Sequence, residues 1–399
     1  MGNGNERRDN EAAAMTWWWL VWLLGGIPSF YLLLLTWVAA PLPYPWLPEK
    51  ARSSRAQGQT RFRIVIPAHN EAKHIATTVT AALALDYPRS HFSVLVVANA
   101  CTDETAEVAQ AAGAAVLSYP PPGKGGALDY AFNQLLRDPS WDAVLVLDAD
   151  SVLDPHALTV LDACFQCGAE AVQLRYAVRN VRVNARTEIA AIQLASLNGV
   201  RPLARSRFGW SAGIFGNGFA LARDTVAAVP YRAHGIVEDI EYHQHLFLAG
   251  KRVDFTDAAA VWAEMPVARH QLATQRARWE RGKLWTIRHY APQVLRQLLR
   301  RPWQTVGQLF DLLIPPIAWV AILLALLAWI APQPVRIAAL LGFGAILIHY
   351  LYAAHRYRLL PLFARALMHA PRYIFEKLWA VLHSMVTERR LGWKRTERD

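Results

Sequence analysis

Charge is missing from long stretches of this 399-residue chain. No charged residue occurs from Ala12 to Pro48, from Leu312 to Val335, or from Ile337 to His355. Each run is long enough to cross a hydrocarbon core of about 30 Å, which takes about 20 helical residues. The runs predict membrane helices at 15–40, 309–331 and 335–355. The apolar part of the first is too long and too rich in Trp for a cleavable leader. Cysteine is scarce as well. Cys101, Cys164 and Cys167 are the only three, all between the first and second runs, which excludes a disulfide framework as the source of stability. Cys164 and Cys167 have metal-ligand spacing, but no second Cys or His pair at zinc spacing accompanies them, so they read as thiols on a helix.

The charges that are present orient the chain. Lys and Arg number 42 against 31 Asp and Glu. Lys50, Arg52, Arg55, Arg61 and Arg63 follow the first run, whereas Arg7 and Arg8 precede it among Glu6, Asp9 and Glu11. Arg296, Arg300 and Arg301 precede the second run, and Arg356 and Arg358 follow the third. Positive residues stay inside. That rule puts 61–300 and the C-terminus in the cytoplasm and the N-terminus outside, as in an integral protein of a bacterial cytoplasmic (inner) membrane. The basic excess sits beside the spans and comes with no nucleic-acid motif, so no nucleic-acid partner is expected. Residues 1–14 read as a disordered tail, and Gly25, Gly26 and Pro28 predict a kink in the first span packed against protein. The Pro-rich stretch 41–60 is a linker. Tyr373, Leu378, Leu382 and Met385 recur at near-helical spacing among basic residues, which predicts an interfacial amphipathic helix over 361–390, followed by a tail at 391–399.

From Arg61 to about Gln275 strands alternate with helices. Strands are expected at 62–66, 94–97 and 115–117, and helices at about 72–85, up to 112, and 127–136. This is the pattern of an α/β unit with a mostly parallel sheet and a ligand at its strand ends. Val144 to Leu147 is a further apolar run of strand length, and it delivers Asp148 and Asp150 to a polar end. Strand alternation would turn both carboxylates to one face, within reach of one hard cation. Taken alone, Asp-x-Asp is equally a solvated turn. Gln275, Arg278 and Trp279 fall at i, i+3 and i+4, one face of a helix. Glu238 and Asp239 open a helical pattern, where acids favour the N-terminus. His243, His245 and His270 read as surface or core histidines.

Seven short motifs stand in order. They are Pro67-Ala68-His69-Asn70-Glu71, Cys101-Thr102-Asp103-Glu104-Thr105, Gly123-Lys124-Gly125, Asp148-Ala149-Asp150, Gly216-Asn217-Gly218-Phe219, Glu238-Asp239 and Gln275-Arg276-Ala277-Arg278-Trp279. In order and spacing they resemble the membrane-embedded family 2 glycosyltransferases, which include cellulose, hyaluronan and poly-N-acetylglucosamine synthases and ceramide glucosyltransferase-like enzymes. The resemblance covers about Phe62 to Trp279. It implies a GT-A nucleotide-sugar-binding domain flanked by transmembrane helices, a UDP-sugar donor, and Mg²⁺ or Mn²⁺. By the same resemblance Asp150 ligates the metal, Asp148 contacts the ribose or the metal shell, and Asp239 is the general base. Pro67, Glu71, Asn99, Lys124 and Arg278 are donor-site candidates, and Glu238, Gln275 and Trp279 acceptor-site candidates. The chain departs from the family pattern at Ala98 and Asn99, where acids are common, at His69 for Tyr, and at Val237 for Thr. Asn99 still offers an amide oxygen to a uracil imide.

The reading that follows is an inverting, metal-dependent transfer of a sugar from a UDP-sugar to a lipid or lipid-linked acceptor. Three spans are few for a polysaccharide channel within one chain. The alternative is a processive synthase extending a growing glycan through a channel made by a homo-oligomer. A non-catalytic membrane scaffold with a decayed site is the alternative from another class.

Overall fold

The computed structural model of the protein describes residues 3–40, 58–233, 235, 237–265, 269–371 and 375, with side chains described except at 3–12 and 269–281. Its centre is an eight-stranded sheet in the order β3-β2-β1-β4-β7-β6-β8-β5. The first four strands are β1 (Phe62–Ala68), β2 (Phe92–Asn99), β3 (Ala115–Tyr119) and β4 (Ala143–Val146), all mutually parallel where they pair. β5 (Ser151–Leu153), β6 (Ala171–Val178), β7 (Phe219–Ala222) and β8 (Val253–Ala263) complete it. β7 runs antiparallel to both β4 and β6, β5 runs antiparallel to β8, and β6 pairs with β8 in parallel. The expected α/β class is present, with a parallel nucleotide-fold half joined to a mixed half.

Alternation along the strands divides the core into two layers. Phe62, Ile64, Ile66, Val94, Val96 and Leu145 face one layer, covered by α2 (Ile75–Leu83), α3 (Thr105–Ala111) and α5 (Ala157–Gln166). Val65, Leu95, Val97, Val144 and Val146 face the other, covered by α4 (Lys124–Leu135) through Leu128, Ala131 and Phe132. Farther along that layer, α8 (Arg223–Ala228) leads to α9 (Glu238–Leu248), which buries Tyr242 and Leu246 against it, whereas α6 (Ala185–Ala195) and α7 (Arg201–Arg207) pack in a separate cluster through Ala195, Leu203 and Ala204. Because β1, β2 and β4 are parallel, their carboxyl ends open onto one edge, where ligands of open α/β sheets bind.

Four more helices follow or precede this unit. They are α1 (Asn3–Ala39), α11 (Pro302–Leu313), α12 (Ile317–Ile330) and α13 (Gln333–Arg356), with the long α10 (Arg269–Arg296) leading in. Ala13–Ala39 and Gln333–Arg356 are long and apolar enough to cross a membrane. The expected span at 309–331 is instead a pair, α11 and α12, bent by 76°. The cause is Pro315-Pro316: neither proline donates to a helix, and the residue before a proline is pushed out of the helical region, where Ile314 has ψ 124°. Among the described residues, two helices are long and apolar enough to span a membrane, or three if the bent pair is one span. α12 alone has 14 residues, about 21 Å, short of a full crossing.

α1 departs from expectation at its N-terminal end. It begins at Asn3, so 3–14 continue the helix instead of forming a loose tail; Glu6, Arg7, Arg8, Glu11 and Ala12–Ala14 are good helix formers. It also runs unbroken through Gly25, Gly26 and Pro28. Gly25 does pack against protein, since a Cβ there would lie 2.8 Å from Leu324 Cδ2. The end of α1 is tied to the rest of the chain. Arg207 Nη1 donates to the carbonyls of Val38 and Ala40 at 2.5 and 2.6 Å, and Tyr352 Oη donates to that of Ala39 at 2.6 Å. Thr36 and Ser196 bond the two ring nitrogens of His349, each at 2.8 Å. The linker over 41–57 and most of the expected amphipathic helix lie outside the described residues; a helix covers 360–371.

Candidate active site

At the shared edge, the loops after β1 and β2 are locked together. Asn70 and Ala100 both take positive φ, 54° and 47°, and Asn70 Oδ1 accepts from Thr102 N at 2.7 Å. Pro67 lies half-buried near the end of β1, and the backbone N–H of Glu71 donates to Thr105 Oγ1 at 2.8 Å. His69 Nδ1 bonds the carbonyl of Asn99 at 2.7 Å. The Asn99 side chain turns to the loop before α4: Nδ2 donates to Pro121 O at 2.5 Å, and Oδ1 accepts from Gly123 N at 3.1 Å. One lone pair of Oδ1 is therefore engaged by the protein itself.

That loop ends in Gly123, whose φ of 125° only glycine adopts comfortably, and places Lys124 at the first position of α4. The Lys124 ammonium reaches across the edge, donating to Asp148 Oδ1 at 2.5 Å and to the carbonyl of Gly216 at 2.7 Å. Burial works against this cation, but the charges of Asp148, Glu238 and Asp239 outweigh it and hold its pKa above the ordinary lysine value. Gly216 in turn abuts Asp239, since a Cβ there would lie 3.1 Å from Asp239 Oδ2 and the residue has φ 74°. Glu238 and Asp239 form the first turn of α9. Burial and then the charge of Glu238 push the Asp239 carboxyl up to about 7, against the opposing pull of the Ile240 N–H and Lys124. The sequence candidates Lys124, Asp148, Glu238 and Asp239 thus occupy one electrostatically connected site.

β4 ends at Val146, before the two acids. Asp148 and Asp150 do not extend the strand; they lie in a turn closed by Ser151 N–H donating to the Asp148 carbonyl at 3.1 Å. Both acids belong to that turn, so strand alternation does not set which way they face. Both carboxylates are half-buried, and Lys124 already places a positive charge against Asp148. Among the described residues no group of three or more His, Cys, Asp or Glu side chains gathers around a metal position. Two carboxylates suit a hard cation that takes its remaining oxygens from a diphosphate and water, so these residues fit Mg²⁺ or Mn²⁺.

Three buried or half-buried polar residues here were not among the candidate site residues, although Asn217 lies within the Gly216-Asn217-Gly218-Phe219 motif. Gln173 and Tyr176 stand on β6, and Asn217 stands between two glycines in the loop before β7. Burial, followed by the charge of Asp148, raises the Tyr176 phenol. Polar residues inside an otherwise apolar strand were the available signal for Gln173 and Tyr176. Gln275, Arg278 and Trp279 belong to α10, as their helical spacing required, and their side chains lie outside the described set. His243 is a buried core histidine bonded to Ser211 at 2.8 Å, and His245 bonds Tyr290 at 2.8 Å.

Residues 60–282 match the family described as glycosyltransferase like family 2. The probable glycosyltransferase YdaM of Bacillus subtilis (strain 168) is 24% identical over 249 residues, which cover 60% of this chain and 59% of that protein. The poly-beta-1,6-N-acetyl-D-glucosamine synthase of Staphylococcus aureus (strain COL) is 27% identical over 226 residues, 55% of this chain and 53% of that one. The match therefore spans less than two thirds of each relative. Among solved structures, the mannosyltransferase PcManGT from Pyrobaculum calidifontis, in complex with GDP-Man and Mn²⁺, is similar with a TM-score of 0.49 and 19% identity, covering 89% of this chain and 99% of that one. Glucosyl-3-phosphoglycerate synthase from Mycobacterium tuberculosis, with Mn²⁺, UDP and glucosyl-3-phosphoglycerate, gives 0.39 and 21%, covering 60% and 85%.

Proposed function

The chain belongs to glycosyltransferase family 2 and is a glycosyltransferase; from that premise we propose an inverting transfer of a sugar from a UDP-sugar to a lipid or lipid-linked acceptor at the cytoplasmic face of a membrane. The observation that carries the reading is the Lys124 bridge, which joins Asp148 on the donor side to Gly216 beside Asp239. Asp239 takes the proton of the acceptor hydroxyl as its oxygen bonds to the anomeric carbon. The bond to the diphosphate breaks on the opposite face, and UDP leaves. Lys124 and Arg278 hold the departing charge, and Glu238, Gln275 and Trp279 hold the acceptor. Asp150 and Asp148 would hold Mg²⁺ or Mn²⁺, which when bound offsets negative charge on the diphosphate. Pro67, Glu71 and Asn99 border the space for the nucleoside.

Two or three spans favour a lipid acceptor over a channel within one chain. The relative named as a poly-β-1,6-N-acetylglucosamine synthase favours the second reading, extension of a glycan by an oligomeric channel. Mass spectrometry of lipids and polymer made by the purified protein from a panel of UDP-sugars separates them. A glycolipid carrying one or few sugars is expected; a long polymer selects the second reading, and no product from any UDP-sugar removes both.

The pH dependence has a definite sign. Asp239 accepts a proton only when ionised, so with its pKa near 7 kcat/KM should climb about tenfold per pH unit below that value and level above it. A carboxyl raised in the folded state also makes folding less favourable as pH rises from the ordinary carboxylate range to about 7. Asp239→Asn should therefore lose less thermal stability than wild type between pH 5 and 8, which thermal unfolding at the two pH values measures.

Topology is tested with single cysteines in a cysteine-free background. One near Gln333 should label from outside intact cells, and one near Thr396 should not. The reverse pattern would place the site away from cytoplasmic nucleotide sugars.

A further inference from the structure

Resting on the proposed metal-dependent transfer, we infer that Asn217 is a positioning residue that fixes the turn bearing Asp148 and Asp150 and thereby sets the affinity of the two carboxylates for a divalent cation. Its side chain is fully buried, and its amide oxygen and nitrogen each hydrogen-bond a residue of that turn. Oδ1 accepts from the Asp148 N–H at 3.0 Å, and Nδ2 donates to Ser151 Oγ at 2.8 Å. Ser151 Oγ then donates to Asp150 Oδ1 at 3.2 Å. Because the Ser151 oxygen accepts from Asn217, its proton is directed to Asp150. One amide thus holds the backbone under Asp148 and, through one hydroxyl, the carboxylate of Asp150.

The amide can act as a reference point because its own segment is anchored. Gln173 Nε2 donates to the carbonyl of Asn217 at 2.8 Å, and Gln173 Oε1 accepts from Phe215 N at 3.0 Å. Gly218 N donates to Val146 O at 2.9 Å, and a Cβ at Gly218 would come within 2.4 Å of Val261. The residue just before Asn217 is Gly216, which touches both Lys124 and Asp239. The spacing between the paired acids and the base therefore passes through residue 217. Alanine there removes both arms of the amide, whereas Ser151→Ala removes only the arm to Asp150. Groups that orient metal-binding carboxylates typically change metal affinity by about 10- to 100-fold when removed.

The test uses the full chain purified in detergent, with Mn²⁺ titrated in the presence of UDP and free Mn²⁺ read by electron paramagnetic resonance, beside thermal unfolding and a transfer assay. Asn217→Ala is expected to weaken Mn²⁺ binding about 10- to 100-fold and Ser151→Ala about tenfold. The Mn²⁺ concentration for half-maximal transfer should rise in step, with much of the rate recovered at saturating Mn²⁺. If Asn217→Ala does not fold, Ser151→Ala decides. Wild-type Mn²⁺ affinity in a folded variant overturns the inference, including the case where stability falls and affinity does not, which marks a purely structural amide. If the wild type itself binds UDP but no Mn²⁺, the metal dependence fails and this inference falls with it.

Discussion

Asparagine at position 239 is expected to lower sugar transfer by about 10²- to 10⁴-fold while UDP binding stays near the wild-type level. The carboxylate acts on the acceptor hydroxyl, so its loss raises the chemical barrier and leaves the diphosphate contacts in place. The rise of its pKa to about 7 makes Asp239 a stronger base than an ordinary surface carboxylate while leaving about half of it ionised at neutral pH. Arg278→Ala gives the opposite split: loss of a charge-assisted contact worth roughly 1.5 to 3 kcal/mol weakens UDP binding by about tenfold or more. Calorimetry with UDP and Mn²⁺, beside a transfer assay, separates the two. Wild-type transfer in Asp239→Asn would move the base to Glu238, the adjacent acid of the same helical turn.

Removal of the cation site should be just as severe. EDTA and Asp150→Asn are each expected to abolish turnover with the protein still folded in detergent, because the departing diphosphate then loses the charge that offsets its own. Lys124 is a single cation that already serves Asp148 and Gly216. It cannot replace a divalent ion that binds diphosphate oxygens on several sides. Full activity in EDTA would end the metal assignment and leave Lys124 and Arg278 as the groups facing the leaving diphosphate.

Much of this arrangement was legible in the residues. The run Val144 to Leu147 placed a core strand, and the acids after it fell at its carboxyl end, because apolar strand length and polar strand ends are local signals. Glu238 and Asp239 were read as a helix start, and α9 begins there. What local pattern could not supply was the geometry between segments. Asp148 and Asp150 stand in a turn that Asn217 and Ser151 hold, and nothing near residue 148 in the sequence points to residue 217. Asn99 looked like a free amide at a strand end; its engagement with Pro121 and Gly123 depends on a loop that folds back from the next strand. The bend at Pro315-Pro316 was visible as two prolines but lost within an uncharged run, where hydrophobic length outweighed them.

The tie at the end of α1 bears on how the protein is made. The carbonyls of Val38, Ala39 and Ala40 find their donors on Arg207 and Tyr352, which are translated long after them. Tyr352 and Ala39 are separated by 313 positions, roughly 15 to 60 s of synthesis at about 5–20 residues per second. For that interval α1 exists with its last turn unclosed, since a helix end leaves its final carbonyls without internal partners. If α1 enters a bilayer as it is made, its entry and its native packing are separate events, and the nascent catalytic unit folds beside a helix that is not yet docked to it.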